Sequence, residues 1–125
     1  MPPVSLRYAI GMPVLLPILL AAAPVGPVAT IPRQAGQCSW VHGRMAVSNG
    51  SSINRIWVVG SGHVLALRDD DTDVPLAVRR FWDKPNPFDY ELWGDFYVCA
   101  RERWIAGHMQ HVRIRATRRT VLIKP

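Results

Sequence analysis

The chain has 125 residues, 15 basic and nine acidic, for a formal net charge of +6. That length suits one domain, and a basic surface attracts nucleic acid, anionic lipid or acidic polysaccharide. The two cysteines form no CxxC and no Cys/His pair, which argues against thiol redox catalysis and a zinc site.

The first stretch, MPPVSLRYAIGMPVLLPILLAAAPVGPVAT, carries one basic residue, Arg7, then an apolar run from Val14 to Ala23, then small residues. This is the layout of a secretory signal peptide, assigned to residues 1–29. The apolar run is too short to span a bilayer as a helix, so the mature chain has no transmembrane segment. Ala21 and Ala23 suit the small-residue rule for cleavage, but Pro24 hinders it there; cleavage after Ala29 is the alternative. Export places the protein in the periplasm or outside the cell and argues against a nucleic-acid partner. It also permits a disulfide between Cys38 and Cys99.

Residues 30–37, TIPRQAGQ, read as a linker to a single β domain over 38–125. CSWVHGRMAVSN is a first strand, followed by the turn signal NGSS. INRIWVVG is a second, with Ile56 and Val58 on one face and Arg55, Trp57 and Val59 on the other. After GSG, HVLALR makes a third. A short helix follows, capped by Asp71, Thr72 or Asp73, with Pro75 in its first turn. Val74, Leu76, Ala77, Val78 and Phe81 form its apolar side. Pro85 and Pro87 make DKPNPFDYELWG an ordered loop. DFYVCARER is the fourth strand, WIAGH a turn, and MQHVRIRATRRTVLI the fifth strand. The fifth turns Val112, Ile114 and Ala116 inward and His111, Arg113, Arg115 and Thr117 outward, with a bulge near Arg118–Arg119.

Three strands, a helix and two strands is the order of the OB-fold, a small five-stranded barrel. There the first strand neighbours the fourth, and antiparallel pairing brings Cys38 and Cys99 together. A six-stranded sandwich, with 118–124 as a separate strand, is the alternative.

Four pieces of the chain make up a pattern: His42–Gly43–Arg44, Asn49–Gly50, Arg55–Ile56–Trp57 with Gly60–Ser61, and GDFYVC from Gly94 to Cys99. In these the chain resembles a family of small exported bacterial proteins. The resemblance implies an exported small β domain and brings no activity, cofactor or catalytic residue.

Two constellations stand out. His42, Arg44, Arg55, Trp57 and the arginines of the fifth strand, Arg113 and Arg115 above all, would give a β surface whose guanidinium heads, exposed to solvent, grip phosphate or carboxylate; its competitor is a solvated face whose arginine stems cover apolar surface. The segment 81–97 is aromatic, and Trp82, Tyr90 and Trp93 would form a second surface, competing with burial of these rings over an open end of the barrel. The acidic run Asp69–Asp73 fails as a calcium loop, because Val74 and Arg80 stand where glycine and glutamate are required. His108 and His111 point to opposite faces of a strand, so no metal site is assigned. No cofactor and no catalytic residue emerge, and a small enzyme is the remote alternative. The expectation is an exported binding module for an anionic envelope component (anionic lipid or acidic glycan) or an envelope protein. The second expectation is a structural or inhibitory interaction protein of the periplasm that uses the aromatic segment.

Overall fold

The computed structural model describes residues 31–47, 54–68 and 71–125. The signal-peptide reading falls on residues 1–29 and lies outside them. The chain is mainly β. Strands β1 (Cys38–Val47), β2 (Asn54–Val58) and β3 (Val64–Ala66) are followed by helix α1 (Leu76–Trp82), then β4 (Glu91–Ala100) and β5 (Gln110–Ile123). The five strands close in a ring, β1-β2-β3-β5-β4. All neighbours are antiparallel except β3 and β5, which close the ring as a parallel pair, Leu65 opposite Gln110 and Ala66 opposite His111. β5 runs through as one strand, so 118–124 is no separate element.

Alternation explains the ring. Val41 and Met45 of β1, Ile56 and Val58 of β2, Phe96 and Val98 of β4, and Val112 and Ile114 of β5 all point inward and are buried. Helix α1 adds Val78 and Phe81 to this core. Burying each of the two contributes roughly 1.5–3 kcal/mol. Trp82 donates from Nε1 to Asn54 Oδ1 at 2.7 Å, tying the helix to the start of β2.

The disulfide joins Cys38 to Cys99, which stand directly opposite each other in the β1–β4 register. Residues 31–37 are tied to the ring. Gly36 N–H donates to Ala100 O, and the buried Gln110 side chain donates to Pro32 O and Glu102 O. No helix among the described residues is long and apolar enough to cross a membrane.

Four local expectations need correction. β4 begins at Glu91, not Asp95: the prolines shape only a 3₁₀ turn at Pro87–Asp89, after which Glu91–Trp93 pair with the end of β5. α1 has Pro75 at its N-cap and no side-chain cap, because the helix starts at Leu76 and leaves Asp71, Thr72 and Asp73 before the capping position; Asp71 pairs instead with Arg101 and the Arg68 N–H. Leu76 turns to solvent at 58% exposure, whereas Val74, Val78 and Phe81 are buried. Finally, β5 has a second register shift, between Tyr97 and Val98 of β4, where Arg115 is the extra residue. It moves Ala116 opposite Tyr97 and Thr117 opposite the buried Phe96, so these two exchange the faces that alternation assigned them.

Candidate functional site

The outer face of β1, β4 and β5 is built in rows of directly opposed residues. Trp40, Tyr97 and Ala116 form one row; His42, Asp95 and Arg118 the next; Arg44, Trp93 and Val121 the third. Glycine lets β2 approach β1 and β5 approach β4. Gly43 and Gly94 face each other in the register. A Cβ on Gly43 would stand 2.8 Å from Trp57 O, and one on Gly94 2.8 Å from Thr120 Cα. Both contacts are with backbone, which cannot swing aside.

The middle row is centred on Asp95, whose carboxylate is only 10% exposed. His42 donates from Nδ1 to Oδ1 at 2.8 Å, while Arg118 Nε and Arg119 Nε donate to Oδ2 at 3.1 and 2.9 Å. Neighbours in a regular strand point to opposite faces. Arg118 and Arg119 reach one carboxylate because the chain bulges here: the register jumps between Trp93 and Asp95, and Arg119 takes a left-handed φ of 53°. The hydrogen bond from Arg119 holds the Asp95 pKa down at about 2; desolvation opposes this, and the bonds from His42 and Arg118 add to it. The cationic heads stay outside, with the side chains of Arg119 75% and Arg118 49% exposed. Arg118 also lies over Trp40, 4.1 Å from the ring centroid, and Trp40 packs on Tyr97 at 5.2 Å.

Of the residues expected to bind, His42, Arg44 and Trp57 share this region. Arg44 stacks over Trp57 at 4.5 Å and pairs with Glu91 at 2.6 Å, so its head is partly covered rather than free. Glu91 also accepts from Trp93 Nε1. Arg55 lies on β2 between Ala46 and Ala66, with its Nε buried and unpaired. Arg113 and Arg115 are exposed. Arg113 is opposite Cys99, six residues along β4 from the Arg44 row, roughly 20 Å away at strand rise. The sequence set is therefore two groups; Asp95 and Trp40 lie outside it, and Arg118 and Arg119 belong to it only as members of the fifth strand's arginines. The break of alternation at Arg118–Arg119 was the available signal.

The aromatic segment is divided between the core and the outer face. Phe81 is in the core, Trp82 and Tyr90 pack against it, and Trp93 belongs to the outer face of β4. Lys84 and Lys124 approach the Tyr90 ring at 5.3 and 5.9 Å.

Elsewhere, His108 lies in the turn before β5, while His111, in β5, meets Glu102 Oε2 at 3.2 Å. The hydrogen bond from the His111 N–H, and then that ring contact, lower the Glu102 pKa. Burial, then the charge of Arg33, lowers that of His63. Among the described residues no three His, Cys, Asp or Glu side chains gather around a common point for a metal ion. Comparison with family models, curated proteins and solved structures finds no match.

Proposed function

We propose that this protein is an exported, non-enzymatic binding module of OB-like fold, and that its outer β1–β4–β5 face receives an anionic group of an envelope component. The ring order and the helix between β3 and β4 support the OB-like reading. Export draws support from the leader-like N-terminus and the Cys38–Cys99 bridge. The resemblance to small exported bacterial proteins points the same way.

The observation that carries the reading is the pair of guanidinium groups anchored on one carboxylate. Asp95 fixes Arg118 and Arg119 side by side, so the entropy of ordering two long side chains is already spent before a ligand arrives. One buried negative charge faces two arginines, leaving net positive charge at the surface. Planar guanidinium groups match phosphate or carboxylate oxygens, and the Trp40 ring backs that of Arg118. The ligand class is therefore an anionic lipid headgroup or an acidic glycan.

The test is retention on vesicles of anionic lipid and on an acidic polysaccharide, each across a salt series. Retention should fall steeply with salt. Arg119→Gln should weaken it about tenfold at low salt, the equivalent of ~1.4 kcal/mol, while Arg113→Gln/Arg115→Gln changes it far less. Salt-independent retention, or an unchanged Arg119→Gln, would leave this face merely solvated.

A further inference from the structure

A second feature lies away from that face. The turn before β3 and the loop between β4 and β5 flank an open cleft of about 390 Å³, lined by His63 on one side and by Trp104, His108 and Met109 on the other. Of the four histidines, His42 and His111 are committed to carboxylates. No hydrogen bond engages the ring of His63 or His108 among the described residues, and both residues line this cleft. Met109 places a polarisable thioether beside them and is itself part-exposed. Trp104 lies 4.7 Å from the His63 ring, close enough for its fluorescence to report an ion held there.

We propose that His63, His108 and Met109 form a binding site for a soft monovalent metal ion of the Cu(I) class. The donor set decides the class. Two imidazoles and a thioether suit Cu(I), whereas calcium and magnesium need oxygen ligands, and no carboxylate lines the cleft. Charge points the same way. Arg33 sits over Trp104 at 5.0 Å, and its positive charge penalises a divalent ion about twice as much as a monovalent one. The site is independent of the arginine face and stands or falls without it.

Silver(I) is the probe, because it is a soft monovalent ion that needs no reductant and so leaves the Cys38–Cys99 bridge intact. The full chain is titrated with silver nitrate in chloride-free buffer while tryptophan fluorescence is followed. Saturable quenching is expected, and Trp104→Phe should remove most of it. His63→Ala and Met109→Leu should each weaken binding at least tenfold with an unchanged melting temperature, and Zn(II) should bind more weakly than silver. Absence of saturable quenching, quenching that survives Trp104→Phe, wild-type affinity in either ligand variant, or tighter Zn(II) binding would each overturn the proposal. If His63→Ala unfolds the chain, the exposed Met109→Leu decides alone.

Discussion

Asp95 concentrates the chemistry of the outer face in one buried carboxylate. Its folded-state pKa of about 2 lies below the value an unfolded chain would show. A depressed acid contributes stability above the unfolded pKa, and that contribution is lost as pH falls through the folded one. Stability should therefore decline between about pH 4 and pH 2. Asp95→Asn should flatten that part of the profile, as urea midpoints measured across acid pH would reveal. An unaltered acid limb in the variant would assign it to other carboxylates. Gly43 makes a different residue-scale prediction. An added methyl would meet Ile56 Cγ2 at 2.7 Å and Trp57 O at 2.8 Å, one of them backbone. Gly43→Ala should cost about 1–3 kcal/mol by overpacking, seen as a melting temperature lower by roughly 5 °C or more. A variant as stable as wild type would mean that β1 and β2 separate freely.

At the scale of elements, the strands were legible wherever one face is buried. Ile56 and Val58 against Arg55 and Trp57 show the period of two that a half-buried strand imposes, and the structure buries the first pair. The first bulge was legible because Arg118–Arg119 visibly breaks that period. The second was not, since Arg113 to Thr117 alternates as a regular strand would. Across from Tyr97 and Val98 of β4 the register skips Arg115, and no local pattern records it. The helix cap failed for a related reason. Asp71 looks like a cap locally, but the helix starts only at Leu76, and Asp71 pairs instead with a distant arginine, Arg101. The site was legible in kind rather than in members: arginines on a β surface were expected, yet the pair that shares a carboxylate lies at the bulge. Phe81 tests the α1 contact. Phe81→Ala should lose about 3–5 kcal/mol, read as a lower urea midpoint, because its ring is 1% exposed in the core. A loss below about 1 kcal/mol would show that α1 adds little to the core.

For the whole molecule, the disulfide and the charge layout matter most. The bridge spans 61 residues of sequence and locks the start of β1 to the end of β4. A loop of that length corresponds to about 4 kcal/mol in the chain-entropy model. Cys38→Ser/Cys99→Ser should fall by a similar amount in urea unfolding, a large share of what a small domain has. Near-wild-type stability would mean that strand pairing alone holds those ends. Charge is unevenly spread along the chain: residues 69–95 hold eight acidic and three basic residues, and residues 101–125 hold seven basic and one acidic. Folding brings the two together at Asp95 with Arg118 and Arg119, and at Asp71 with Arg101. Part of the basic tail is thereby neutralised, while the heads of Arg118 and Arg119 remain outward. The most direct test of that arrangement is an NMR titration of the chain with a short-chain anionic phospholipid below its micelle concentration. Amide and side-chain shifts should concentrate at Trp40, His42, Arg118 and Arg119 and disappear in Arg119→Gln. Shifts confined to Arg113 and Arg115, or spread evenly over the basic surface, would contradict the account.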